Sequence, residues 1–232
     1  MINNKKISLL YKTILVMISF IGIYNSFYNL NPNTFTYFTF LSNLLVLIFF
    51  LIIWIKTIKD VIIKDENVGY NTHLIKIKGI ATLCITVTGL VYAFTLADYT
   101  SKSNYTFQNL SQHYFIPVMV VLDYFLFDEK GHIKWYTPLI WVACAISYLP
   151  YIFVRAAILG PNTDLVRYPY FFLDIDLLGV GGVVLWCIGL LVFFSILAYL
   201  NYLFDYKYSK KQKSLEETVW LKRTVLKETF KS

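Results

Sequence analysis

Six segments of this chain are long and apolar enough to cross a lipid bilayer, a pattern that leaves few other folds open to it. A transmembrane helix needs about 20 mostly apolar residues, because in lipid each backbone polar group must be satisfied within the protein. The segments are Leu9–Tyr28, Phe38–Ile55, Lys78–Leu96, Tyr114–Phe127, Pro138–Leu159 and Gly179–Phe204. The fourth is short, so we extend it back to Phe107. The sequence therefore predicts an all-α bundle of six transmembrane helices.

The composition excludes several classes of protein. The 232 residues are 57% hydrophobic and 19% aromatic, which is more apolar than an ordinary soluble domain. Cys84, Cys144 and Cys187 all fall inside predicted helices, so we expect them to pack there rather than form a disulfide framework. The net charge of +7 is spread over the loops, and this argues against a nucleic-acid-binding patch.

The basic residues predict the orientation of the chain. They cluster before the first span, in alternate connections and after the sixth span: Lys5, Lys6, Lys12, Lys56, Lys59, Lys64, Lys76, Lys78, Lys130, Lys134, Lys207, Lys210, Lys211, Lys213, Lys222 and Arg223. The remaining connections hold only Lys102 and Arg167. By the positive-inside rule both termini are then cytoplasmic. We expect a transmembrane domain at residues 1–206 and a basic cytoplasmic tail at residues 207–232.

This topology brings three distant polar and aromatic stretches to one level. The second, fourth and sixth spans all begin at the outer surface, where Thr34–Asn43, Ser111–Pro117 and Tyr168–Asp176 should meet. The abundance of Lys, Asn, Ile, Tyr and Phe indicates an AT-rich bacterial genome. We therefore expect a multi-pass protein of a bacterial inner or plasma membrane, with a site near its outer surface.

Thr39 and His113 are the side chains in these stretches best suited to chemistry. Thr39 is predicted in the first turns of the second span, after a cap at Thr34 or Thr36, where free N–H groups favour negative charge. His113 is predicted in the first turn of the fourth span, capped by Ser111, where the helix dipole favours a neutral, proton-accepting ring. Both also have structural interpretations: a threonine can bond to the preceding turn, and a histidine can hydrogen-bond at the interface.

Two further polar residues lie on the same helices. Asn43 shares the face of Thr39 one turn below it, where it could orient a substrate carbonyl or tie two helices together. Asp123 lies about ten residues into the fourth span. It should therefore be too deep to touch His113, and it is expected to make a structural bond or form part of a polar path.

A second group of residues is expected at the outer rim. Arg155 should reach Asp164, Asp174 or Asp176, either as an ion pair or as an anchor for a substrate carboxylate. Tyr168, Asp174 and Asp176 could support the site or bind substrate. Asn43, Asp174 and Asp176 are the candidates for a residue that orients His113.

Common catalytic motifs are missing from the sequence. It contains no Gly-x-Ser-x-Gly elbow, Walker loop, Cys-x-x-Cys or His-Glu-x-x-His. A zinc site would need further ligands beside His113, and Asp174 and Asp176 are the only carboxylates nearby. We expect no metal and no cofactor, so the threonine–histidine pair is the best enzyme candidate.

Together these stretches resemble the androgen-induced and androgen-dependent family of six-helix membrane hydrolases. The resemblance spans about Tyr11 to Asp205 and is closest to the family's bacterial branch. It is carried by Tyr37-Phe-Thr-Phe-Leu-Ser-Asn-Leu44, by His113-Tyr-Phe-Ile-Pro-Val-Met-Val-Val-Leu-Asp123, and by Arg155 followed by Tyr168-Pro-Tyr-Phe-Phe-Leu-Asp174. Animal members are threonine hydrolases that cleave fatty acid esters of hydroxy fatty acids. The family's nucleophilic threonine falls on Thr39 and its essential histidine on His113.

The resemblance implies a hydrolase whose lipid substrate enters laterally from the membrane. Thr39 would attack the ester carbonyl, and His113 would take its proton. The main alternative is a lipid-binding protein or a small transporter that uses the same polar pocket. Transporters often contain helices broken by Gly or Pro, and from the positions of Pro117 and Pro138 we expect few such breaks here. A structural or partner-binding scaffold is a third possibility.

Overall fold

The protein is all-α in its computed structural model, which describes residues 2, 4–63, 74–97 and 105–229. No strand occurs within these residues. The Lys64 and Lys102 positions used to predict orientation lie outside them. The helices are Lys5–Tyr28, Phe38–Ile62, Ile75–Val91, Phe107–Leu110, Ile116–Phe127, Thr137–Ile146, Tyr148–Leu159 and Ile175–Thr229, with π-helical turns at Tyr92–Leu96 and Ser111–Phe115.

Six of the resulting spans are long and apolar enough to cross a membrane, so the predicted fold class is confirmed. They are Lys5–Tyr28, Phe38–Ile62, Ile77–Leu96, Phe107–Phe127, Thr137–Leu159 and Ile175–Lys211. The fourth does begin at Phe107, as its predicted extension requires. The sixth is preceded by a short turn from Ile175, which Asp174 caps by accepting the N–H groups of Asp176 and Leu177. The chain kinks at Gly179, where φ is +65°, and this is the residue at which the span is predicted to begin.

The expectation of few broken helices is wrong. The fifth span is interrupted at Ser147, three residues before Pro150. Since Pro150 has no N–H, the carbonyl of Ile146 loses its helical donor, and the chain turns there. Pro117 likewise cannot donate to the His113 carbonyl, and the fourth span has its π-helical turn at this point, where the Ile116 N–H bonds to the Ser111 carbonyl.

The third span is the centre of the bundle. Its buried side chains belong to two core clusters, one shared with the first, second and fourth spans and one with the fourth, fifth and sixth. We call the end of the bundle that carries both termini the terminal face, and the opposite end the distal face. The connections at residues 29–37 and 160–174 lie on the distal face. The sixth helix continues through Thr229, so it crosses the predicted boundary at residue 206 without a break.

Buried ion pairs join three spans in the terminal half. Lys12 and Lys78 both contact the Asp123 carboxylate, Lys12 at 3.1 Å, and Lys78 also contacts Asp128 at 2.6 Å. All four side chains, which we call the ionic cluster, are buried. A structural bond was one of the two roles predicted for Asp123. Lys12 and Lys78, however, are not the solvated loop lysines that the orientation argument assumed.

Candidate functional site

Thr39 and His113 line one open cavity at the distal face, as the topology predicts. This distal cavity has a volume of about 540 Å³. It lies between the first, second and fourth spans, and its lining is polar: Asn25, Ser26, Asn29, Asn31, Asn33, Thr34, Tyr37, Thr39, Phe40, Gln108, Gln112 and His113. Side chains from three spans and one connection therefore converge where sequence position alone would not have joined them.

Thr39 is the second residue of its helix, but its neighbourhood differs from the predicted one. The N-cap is Tyr37, and neither Thr34 nor Thr36 caps the helix, because they form a separate 3₁₀ turn. The Thr39 N–H instead donates to the Tyr170 hydroxyl, at 3.3 Å. A phenol from the connection before the sixth span thus takes the place of a local cap.

Tyr170 is a site residue that the sequence analysis missed. Its phenol also lies close to the Thr39 hydroxyl, and burial raises its pKa above the ordinary value. A neutral phenol that accepts a backbone N–H keeps its own proton free to donate. Tyr170 can therefore offer a hydrogen bond beside Thr39. The repeated tyrosine in Tyr168-Pro-Tyr170 was the available sequence signal, and only Tyr168 was predicted from it.

His113 is held by ring stacking rather than by a hydrogen bond. Its imidazole lies 3.6 Å from the Tyr92 ring, centroid to centroid, at an interplanar angle of 16°. Nδ1 is buried and has no hydrogen-bond partner within the described residues. Ser111 is not the predicted cap: the helix begins at Phe107, and Ser111 donates to the Gln108 carbonyl at 2.8 Å.

Gly89 allows the third span to approach the backbone of His113. A Cβ at this position would lie 3.0 Å from both the His113 carbonyl oxygen and Pro117 Cβ. Close packing of membrane helices at a small residue is a common arrangement. Here it fixes the π-helical turn that carries the imidazole.

Asn43 ties the two halves of the proposed pair together. Its Nδ2 donates to the Thr39 carbonyl at 2.8 Å and to the Gln112 carbonyl at 3.3 Å. Of the two roles predicted for Asn43, this geometry is that of the helix tie. The amide fixes the backbone of Thr39 against the residue that precedes His113.

Thr39 also lines a second, apolar space on its other side. This apolar cleft has a volume of about 50 Å³ and lies between the second, third, fifth and sixth spans. Its walls include Val91, Phe172 and Leu190, which also line a wider lateral groove of about 500 Å³ between the third and sixth spans. Thr39 therefore stands where a polar cavity and an apolar cleft meet.

The ion pair predicted for Arg155 is wrong. Its guanidinium donates to the Val166 carbonyl, to Asn33 Oδ1 at 3.2 Å and to the Pro32 carbonyl at 3.4 Å. No carboxylate of the described residues, including Asp164, Asp174 and Asp176, forms an ion pair with it. Neutral oxygens satisfy the donors because Arg155 lies between two connections that expose backbone carbonyls. It joins the connection before the sixth span to residues 32–33.

The other predicted rim residues lie away from the distal cavity. Asp176 pairs with Arg167, and Asp174 caps the sixth span, so neither lines the cavity with His113. The Tyr168 ring packs against the Arg167 guanidinium, 5.1 Å from centroid to carbon. The predicted contribution of Asp174 or Asp176 to orienting His113 is therefore not supported by their positions.

The carboxamides of the distal cavity were also missed. The alternating Asn29-Leu-Asn31-Pro-Asn33 run was a usable sequence signal, since it places three amides in a short connection. Gln108 and Gln112 are a turn apart on the fourth span, and they bond to Ser26 Oγ at 3.2 Å and to the Gly22 carbonyl at 2.8 Å. These bonds seal one wall of the cavity.

No protein-family model, no curated protein and no solved structure matches the chain.

Proposed function

We propose that the protein is an intramembrane hydrolase of lipid esters, with Thr39 as nucleophile and His113 as general base. One observation carries the proposal: Thr39 lies between a polar cavity that contains His113 and an apolar cleft. An ester of a fatty acid has the same division, with a chain on one side of the carbonyl and an alcohol on the other. The resemblance to the androgen-induced hydrolase family supports the same pair of residues.

The reaction would proceed in two steps. The Thr39 oxygen attacks the ester carbonyl and passes its proton to His113, which returns the proton to the departing alcohol. Water then gives a proton to His113 and attacks the acyl-threonine. As the bond from the carbonyl to the Thr39 oxygen breaks, His113 returns that proton to Thr39 and the acid is released. Tyr170 is placed to donate a hydrogen bond to the oxyanion that forms in each step. Asn43 acts as a positioning residue because it fixes the Thr39 backbone.

The acyl chain would arrive from the membrane through the lateral groove. The groove shares walls with the apolar cleft that ends at Thr39. At about 50 Å³ the cleft is too small for a long chain, so entry of the chain would require the cleft to widen, and the break of the fifth span at Ser147 is a position where it could do so. Ile146, Tyr148 and Leu149, which flank this break, line the cleft.

A fluorophosphonate activity probe on the purified protein tests the proposal. Labelling and hydrolysis should fall by at least about a thousandfold in Thr39→Ala and in His113→Ala, and the double variant should lose little more, because the pair acts as a unit. Thr39→Ser should retain labelling. Thr86→Ala is the matched control, since its hydroxyl bonds only to its own helix, at the Thr82 carbonyl. Equal labelling of Thr39→Ala and the native protein would refute the mechanism.

The helix breaks favour one alternative, a small-solute transporter. The break at Ser147 and the π-helical turns at Tyr92–Leu96 and Ser111–Phe115 interrupt helices beside the cleft and the cavity, and transporter sites are often built from interrupted helices. Uptake into proteoliposomes distinguishes the two. Solute flux that survives Thr39→Ala, with no hydrolysis by the native protein, would favour transport.

A further inference from the structure

The described lining of the distal cavity consists of polar and aromatic side chains. Half of its twelve lining residues are carboxamides, namely Asn25, Asn29, Asn31, Asn33, Gln108 and Gln112. The others are hydroxyl or aromatic side chains and His113. Lys, Arg, Asp and Glu are all missing from the lining within the described residues. A ligand in this space would therefore meet hydrogen-bonding groups without a balancing charge.

The carboxamides leave both donors and acceptors for a ligand. Gln112 Nε2 donates to the Gly22 carbonyl, and Asn25 Nδ2 donates to Gln108 Oε1 at 3.2 Å. The side-chain oxygens of Gln112 and Asn25 can therefore accept hydrogen bonds from a ligand. Asn33 Oδ1 accepts from the Val166 N–H and from Arg155, so the NH₂ group of Asn33 can donate to a ligand. A hydroxyl both donates and accepts, so it can use either kind of group. A carboxylate can only accept hydrogen bonds. Its negative charge would face the side-chain oxygens of Gln112 and Asn25 without a compensating positive charge.

Among the described residues, Arg155 is a cation that hydrogen-bonds to a lining residue of this cavity, Asn33, and its donors are already engaged. Its Nη1 and Nη2 donate to the carbonyls of two connections and to Asn33 Oδ1. It does not line the cavity. Binding a carboxylate there would require Arg155 to release the connections that it joins.

We infer that the distal cavity binds a neutral polyhydroxylated head group, such as the glycerol of an acylglycerol, rather than one that carries a carboxylate. This inference rests on the proposed function for the position of the ester bond at Thr39. It departs from the hydroxy fatty acid esters that the family resemblance implies, because their acid group would meet no cationic partner among the described residues that line the cavity.

Uncleavable ethers test the head group separately from catalysis. The apparent Kd of the full-length protein in detergent is measured by thermal shift for 1-O-hexadecylglycerol and for the matched 3-O-hexadecyl glycerate at pH 7.5. The two ligands differ only in that a carboxylate replaces one CH₂OH group. The glycerol ether should bind at least about tenfold more tightly, since a site built from hydrogen-bonding groups rejects a mismatched partner. Equal affinity, preference for the glycerate, or no binding of either ether overturns the inference.

A charge introduced into the cavity should reverse this preference. Gln108→Lys places an ammonium in the lining, so it should favour the glycerate ether, whereas Gln108→Met, of similar length, should not. A glycerate preference in the native protein that disappears in Arg155→Gln would show that Arg155 is the anchor and overturn the inference. Hydrolysis of 1-palmitoylglycerol is measured in parallel: if the ethers show the expected preference but no ester is cleaved, the proposed function fails while the inference stands.

Discussion

In the terminal half of the bundle four buried charged side chains form ion pairs, whereas in the distal half the polar side chains around the open cavity are amides, hydroxyls and one imidazole. Asp123 is fully buried and contacts two lysines. His113 is almost as buried, yet its Nδ1 has no partner in the described part of the chain. Buried charges must be paired to be tolerated, so the ionic cluster is fixed by its own members. Neutral amides can remain available to a ligand, and we expect the two halves to respond differently to substitution.

The largest effect on stability should come from Asp123→Asn. It leaves Lys12 and Lys78 buried without their shared carboxylate, which we expect to cost about 3–5 kcal/mol. Thermal unfolding in detergent measures this loss. Asp164→Asn, at an exposed carboxylate, is the control and should unfold like the native protein. An unchanged unfolding temperature for Asp123→Asn would remove the distinction between the two halves.

Tyr170→Phe should lower activity, and it should destabilise the fold less than Asp123→Asn does. It removes the O–H placed beside Thr39 but keeps the ring, which stacks on Phe172 at 5.2 Å. We expect kcat to fall by about a hundredfold, typical of losing one oxyanion donor. Tyr151→Phe is the control, because its hydroxyl bonds the Phe35 carbonyl away from Thr39. Equal losses in the two variants would make Tyr170 a structural residue only.

Arg155→Ala should have a moderate effect on the distal connections. Three acceptors on residues 32–33 and 166 lose their charged donor, at an expected cost of about 1–3 kcal/mol. Arg155→Lys should recover only part of this, because one ammonium cannot span both connections as the guanidinium does. Thermal unfolding and hydrolysis measured together would show whether KM rises before kcat falls. A kcat loss as large as that of His113→Ala would instead place Arg155 in the chemistry.

The smallest effect, counted for a change of one pH unit, is a pH dependence at the edge of the ionic cluster. Burial lowers the pKa of Lys130, which follows the fourth span, from 10.5 to about 8. Below pH 8 both folded and unfolded chains hold this proton. Between pH 8 and 10.5 the folded chain releases it first, so the unfolded chain binds more protons and stability rises with pH.

The free energy of unfolding should rise by at most about 1.4 kcal/mol per pH unit. Thermal unfolding of the native protein and of Lys130→Met is compared between pH 7 and 10 to measure this rise. The Lys130→Met variant lacks the titrating group, so this part of the dependence should vanish from it. If the stabilities of the native protein and of Lys130→Met change in parallel with pH, Lys130 is solvated and the buried charges end at Asp128.

Apolar length alone was enough to predict the helices. Each predicted span overlaps an observed one, because a segment that buries its backbone in lipid has to be helical. Up-and-down topology was also enough to bring Thr39 and His113 to one face. The local details failed where a distant partner decided them: Tyr170 replaces the expected cap of the second span, and carbonyl groups replace the expected carboxylate of Arg155.

The sequence by itself thus determined which segments are helices and which polar stretches share a level, since both depend on hydrophobicity counted along the chain. Only the tertiary structure decided that Lys12 and Lys78 are buried against Asp123, and that Thr39 stands between a polar cavity and an apolar cleft. The physical reason is that a charge near a helix end can turn to solvent or inward. Its direction depends on a partner from another span, and the spacing of residues along one span does not show that partner.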